Sequence, residues 1–109
     1  MTAVPIPPTA VVRVSRGEFD PARFAEVQEM TVATSRYLVP AIEKLPGLIS
    51  YYVGVSPHGS TVHVSVWESD EHAQQMSRLK EMIVDARRDA EKVGVAFTPI
   101  VNYPIDWTV

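Results

Sequence analysis

Apolar residues recur along the chain with two spacings, one near two residues and one between three and four. Residues 10–16, AVVRVSR, are rich in β-branched side chains and stop at Gly17, which predicts a first strand. Asp20 followed by Pro21 predicts a helix start, an N-cap side chain and then proline at the first helical position. From there Phe24, Val27, Thr31, Thr34, Leu38, Ile42 and Leu45 form one stripe on a helix of about 24 residues, widened by Met30, Tyr37 and Ala41. The two threonines each need a partner for a hydroxyl. Pro40 lacks an amide donor and crowds the turn before it, so a kink or a break into two helices is expected near residue 39. Leu45, Pro46 and Gly47 stop the helix.

Residues 48–56, LISYYVGVS, and 60–68, STVHVSVWE, predict two strands joined by Pro57, His58 and Gly59, an antiparallel hairpin. A three-residue turn pairs Ser56 with Ser60 and Val53 with His63. Ile49, Tyr51, Val53 and Val55 then share one face with Thr61, His63, Ser65 and Trp67, and Ser50, Tyr52, Gly54, Val62, Val64 and Val66 take the other. Which face meets the helices is left open by alternation. Ser69 caps a second long helix over 69–93, with Asp70 and Glu71 suited to its positive end. Its stripe is Ala73, Met76, Leu79, Ile83, Ala86, Ala90 and Val93, and Gly94 ends it. A last strand is expected near 98–107, held to an edge or an irregular path by Pro99 and Pro104.

Strand, helix, strand, strand, helix, strand is the split βαβ order, so the expected fold is α+β, a ferredoxin-like βαββαβ sandwich. Each helix has one apolar stripe, so both cover the same side of the sheet. The other side is left bare and apolar, and needs a ligand, a partner or a second sheet. The 109 residues make one domain, residues 10–109, after an extended proline-rich arm over 1–9. A net charge of −3 without a basic run argues against nucleic acid. The absence of cysteine excludes disulfides and a thiolate nucleophile and favours the cytoplasm. No apolar run approaches the roughly 18 residues of a membrane span. The first ten residues lack the cationic start and apolar stretch of a secretory signal. Phosphate-binding glycine loops and nucleophile elbows are missing, and the three histidines lack metal-ligand spacing, so neither cofactor nor metal is expected.

The candidate chemistry gathers on the third strand. His63 is either a base that takes a proton from a phenol or anthrone, or a core histidine satisfied by Tyr51 or a carbonyl. Trp67 either stacks on a flat aromatic substrate or packs the core. Met76 and Met82 offer a soft apolar lining. Arg87 and Arg88 flank Ala86, where one of them either holds an anion or stays solvated beside Glu91. His58 and His72 lie in a turn and a first helical turn.

The stretch LPGLISYYVG followed by STVHVSVWESDEHA resembles the antibiotic biosynthesis monooxygenase-like domains of the dimeric α/β barrel superfamily. In these domains a helix ends at Pro-Gly, a strand follows, and the next strand ends in a W-x-S step into a helix. Here the elements are Pro46-Gly47, residues 48–56, and Trp67-Glu68-Ser69. The element order matches from about residue 10 to 107, and the specific match spans about 30 residues in the middle. The resemblance implies a homodimer in which two four-stranded sheets pack into a barrel, with a pocket in each subunit between sheet and helices. It also implies cofactor-free oxygenation of aromatic polyketides or quinols, or in some members heme degradation. The heme-degrading triad is absent: 10–16 holds no asparagine, and 69–93 holds no tryptophan and one histidine, His72. The polyketide oxygenases carry an asparagine four residues before the tryptophan, a tyrosine six after it, and an arginine on the second helix. Those places hold His63, Ala73, and Arg87 or Arg88. The expected function is a small cofactor-independent monooxygenase acting on a phenol, anthrone or quinol. His63 would be the base and Arg87 the anion holder, with Trp67, Tyr51, Met76 and His72 around the substrate. The alternatives are a non-catalytic dimeric barrel for binding or stress, and heme binding through His63 or His72.

Overall fold

The computed structural model describes residues 6–109. Strand β1 (Val11–Glu18) leads through a 3-10 turn (Pro21–Arg23) into helix α1 (Phe24–Glu43). Strands β2 (Leu48–Ser56) and β3 (Ser60–Trp67) follow as a hairpin. After helix α2 (Asp70–Ala73) come a 3-10 turn (Gln74–Ser77), a π-helical turn (Glu81–Ala86) and helix α3 (Arg87–Lys92). The chain ends in β4 (Ala96–Phe97) and β5 (Val101–Pro104). The sheet is antiparallel in the order β2-β3-β1, with β4 and β5 both on the outer edge of β1. This is the expected ferredoxin-like α+β topology. Of the proline-rich arm, residues 1–5 lie outside the described residues. Its last residue, Thr9, donates to the carbonyl of Glu68 at 2.6 Å. Among the described residues no helix is long and apolar enough to cross a membrane.

The hairpin register is the one expected, with Ser56 opposite Ser60 and Val53 opposite His63. At its far end Ile49 falls in a bulge, and Leu48 rather than Ile49 stands opposite Trp67. The bulge adds one residue to β2 and lets Leu48 pack against the core cluster around Trp67. β1 does not stop at Gly17. That residue pairs with Thr61 on one side and Phe97 on the other. A Cβ there would lie 2.6 Å from Val95 Cγ1, so glycine serves close packing rather than termination.

Helix α1 starts as expected, with the Asp20 side chain accepting from the Ala22 amide at 2.9 Å. Thr31 and Thr34 donate their hydroxyls to the carbonyls of Val27 and Thr31. Pro40 does not break the helix, which runs on to Glu43. Pro40 and Arg36, whose carbonyl would have accepted its missing N–H, are both exposed, which leaves the freed carbonyl open to solvent.

The second helix departs most from expectation. Residues 69–93 form two short α-helices with a 3-10 turn, an interruption at 78–79 and a π turn between them. The π turn changes which residues face inward. Met82 packs on the core cluster, while Ile83, expected in the stripe, is 44% exposed. The last strand is likewise split, since Pro99 falls between β4 and β5.

Trp67, Met76, Leu38 and Ala86 belong to one core cluster, and Val27, Phe19, Ala90 and Val95 to another. The helices cover the face of Thr61, Ser65 and Trp67, all buried. The valines of β3 occupy the bare face with Val12 and Val14 of β1. Tyr52 and Tyr103 on that face are 65% and 52% exposed.

Candidate active site

A cavity of about 220 Å³ lies between the sheet and the helices. Members of both core clusters line it, including Leu38, Met76, Ala86, Ala90 and Val95. The methionines Met30, Met76 and Met82 supply a polarizable lining. Ile83, Arg87, Thr98 and Ile100 line it and are exposed, which puts its mouth between the π turn and the β4–β5 break. A π turn adds a residue to one helical turn, and such turns recur where a helix lines a site.

Polar groups enter the cavity from the sheet. The hairpin register sets Tyr51 next to His63 on the inner face, two positions apart in pairing. The Tyr51 hydroxyl and His63 Nδ1 are 2.8 Å apart, with the rings edge to face at 5.7 Å and 89°. Burial holds His63 down at about 4, so its imidazole is neutral at pH 7. Burial also pushes the Tyr51 phenol up, opposed by the positive charge of Arg13.

Arg13 comes from β1, where it pairs with Ser65. Its side chain lines the cavity and the residue is 7% exposed. Its guanidinium donates to Asn102 Oδ1 at 3.3 Å and to Ser77 Oγ at 3.1 Å, two uncharged acceptors. Asn102 in turn donates through Nδ2 to Asp70 Oδ1 at 3.2 Å. Burial lowers the Arg13 pKa, while Tyr51 and Asp70 oppose the shift. Among the described residues neither an aspartate nor a glutamate lines the cavity.

The residues expected from the sequence divide into three groups. His63, Tyr51 and Met76 meet in the cavity. Arg87 stands at its mouth, 3.7 Å from Glu91 and with its guanidinium carbon 5.7 Å from the centre of the Phe97 ring. Trp67 and His72 do not line it. Trp67 is fully buried and donates its indole N–H to Ser65 Oγ at 2.8 Å, so it has no free face for a substrate ring. His72 holds the start of α2, where its Nδ1 meets Ser69 Oγ at 2.8 Å and its ring packs over Gly47. Arg13, Ser77 and Asn102 were not among the expected residues. The signal for Arg13 was a lone cation on the inner row of β1, between Val11 and Ser15. Only the β1–β3 pairing, a long-range contact, places that row opposite His63.

No family model matches this sequence, and no curated protein sequence does. Solved structures do match it in shape. The monooxygenase ActVA-Orf6 of Streptomyces coelicolor, in complex with nanaomycin D, is 17% identical, with a TM-score of 0.69 over 93% of this chain and 91% of that one. SnoaB, a cofactor-independent oxygenase of Streptomyces nogalater, is 14% identical, with a TM-score of 0.67 over 93% and 97%. The fold is that of the antibiotic biosynthesis monooxygenase-like proteins. A Nitrosomonas europaea protein of unknown function shares it too, at 12% identity and a TM-score of 0.64 over 94% of both chains. At such identities the likeness to the monooxygenase-like proteins is one of fold, and chemistry has to be argued from side chains.

Proposed function

We propose that this chain is a cofactor-independent monooxygenase that acts on an electron-rich aromatic of the phenol, anthrone or quinol type. The observation that carries this is the apolar cavity in which a neutral His63, paired to Tyr51, shares the lining with Arg13. Chemistry of this kind asks for little from a protein: an apolar, water-poor pocket, a base, and a positive group for the anion that forms.

In the tautomer suited to catalysis, His63 Nδ1–H donates to the Tyr51 oxygen and Nε2 is left to accept a proton. Nε2 takes the phenol or enol proton of the substrate. A base held near 4 is weak against a phenol, so the proton transfer runs uphill and is drawn forward by the reaction of the anion with O₂. The carbanion form of the anion then gives its electrons to O₂, and one oxygen atom bonds to the ring carbon. The second oxygen leaves as water, carrying the phenolic hydrogen and the hydrogen of the attacked carbon. A phenol and O₂ thus give a quinone and water, and atoms and electrons balance without a cofactor.

Oxygen uptake with a panel of hydroquinones and anthrones tests this. His63→Ala is expected to lower the rate by about 100-fold or more, the usual range for loss of a general base. Equal rates in the two proteins remove His63 from the mechanism. A barrel used only for binding predicts no uptake with any of these compounds. The heme alternative has little geometry behind it, because the 220 Å³ cavity at His63 is too small for a porphyrin and His72 does not line it.

The bare sheet face completes the proposal. It carries Val12, Val14, Val62, Val64 and Val66, and a second copy of the same sheet packs on it to close a dimeric α/β barrel.

A further inference from the structure

The charge of the cavity is opposite to that of the protein. The chain carries a net −3, yet among the described residues the charged ones that line the cavity are two arginines, Arg13 within and Arg87 at the mouth. A buried cation costs solvation unless an opposite charge answers it. The protein does not supply that charge directly to Arg13. Its two side-chain acceptors are an amide and a hydroxyl, and Asp70 is reached only through Asn102. Those bonds use two of the five guanidinium N–H donors and fix the plane of the fork, while the remaining donors have no side-chain acceptor among the described residues. A planar fork of this kind matches a carboxylate with two parallel hydrogen bonds.

Volume limits the rest of the ligand. A cavity of roughly 150 Å³ takes a single benzene ring. The 220 Å³ here takes one ring with substituents or two fused rings and is smaller than a three- or four-ring skeleton requires, which narrows the proposed substrates to phenols and quinols and leaves out the anthrones.

We infer that this site takes an aromatic acid of one or two rings, with its carboxylate on the Arg13 fork and its ring among Met30, Met76 and Met82. The inference deepens the oxygenase reading and rests on it for the fate of the ring, but not for binding. Arg13 thereby sets which ring carbon faces His63, and Asn102 and Ser77 position Arg13.

Calorimetry without oxygen tests the binding, using 2,5-dihydroxybenzoate and hydroquinone, two quinols that differ by one carboxylate. The wild-type protein is expected to bind the acid at least about tenfold more tightly, a preference that Arg13→Met abolishes and Arg13→Lys keeps in part. Equal affinity for the two compounds in wild-type protein overturns the inference, and that comparison needs no variant to fold. Anthracene-2-carboxylate, with three rings, is expected to bind at least about tenfold more weakly than 2-naphthoate, and tight binding overturns the size limit. Oxygen uptake is read separately. A preferred acid that consumes no oxygen sinks the oxygenase reading and leaves the acid site standing. Oxidation of hydroquinone without preference for the acid does the reverse.

Discussion

His63 is kept neutral by its surroundings, and the cost of that appears on acidification. Its folded pKa of about 4 lies below the ordinary value of 6.5. Between those values the unfolded chain binds a proton that the folded chain refuses, so stability falls as pH drops from about 6.5 to 4 and is flat above 6.5 on this account. The loss is at most about 3 kcal/mol, at 1.36 kcal/mol per unit. Urea midpoints across this window are expected to fall steeply for the native protein and less for His63→Asn, and parallel curves would rule His63 out as the cause. Trp67 belongs to the same scale with a different role. It has no exposed surface and one bond, to Ser65. Trp67→Phe keeps most of the ring but empties part of its space and strands the Ser65 acceptor, a loss of about 2–3 kcal/mol by denaturation. Its oxygen-uptake KM is expected to stay near that of the wild type, because Trp67 does not line the cavity. A large rise in KM without loss of stability would return Trp67 to the substrate.

Elements were legible in the sequence where local rules fix them. The hairpin register follows from a three-residue turn, and it alone predicted that Tyr51 and His63 share a face. The second helical region was not legible, because spacings of three and four residues suit an α-helix and an α-helix with one π turn alike. What decides between them is tertiary: Ser77 turns to Arg13, Gln75 donates to the Pro46 and His72 carbonyls, and Met82 takes the inward place. Arg13 escaped notice for a related reason, since its neighbours come from β3, β5 and the turn after α2. Local rules also allowed a break at Pro40 that does not occur. Helix α1 passes through it at the expense of one hydrogen bond on an exposed side. An interior proline costs about 3 kcal/mol against alanine, and the stiffer unfolded chain returns up to about 1. Pro40→Ala is therefore expected to stabilise by about 2 kcal/mol and raise the melting temperature by several degrees, and a lower melting temperature would mean that the proline itself is needed for packing. Gly47 has the opposite character. Its φ is +83°, and a Cβ would run into the His72 ring, so Gly47→Ala strains the backbone and displaces the ring that braces the start of α2.

At the scale of the whole molecule, one strand serves two surfaces. β1 sends Arg13 into the cavity and Val12 and Val14 to the bare face, so a partner on that face would also steady the strand that aims the guanidinium. Val64 stands near the middle of the face, opposite Val14 on one side and Tyr52 on the other. Tyr52 and Tyr103, more than half exposed in the single chain, add ring surface to the apolar patch of the valines. Closing two such sheets face to face, bare side to bare side, would remove this patch from solvent with the sheets about 10 Å apart, as in other packed sheets. Light scattering at micromolar concentration is expected to give twice the 12.1 kDa chain mass. In such a dimer Val64→Glu would put a carboxylate from each copy into the buried layer between the sheets, and it is expected to give monomers. If dimerisation steadies β1, those monomers bind aromatic acids more weakly although no cavity residue has changed. A monomeric wild type would refute the covered face, and a Val64→Glu monomer with unaltered binding would show that the cavity is complete within one chain.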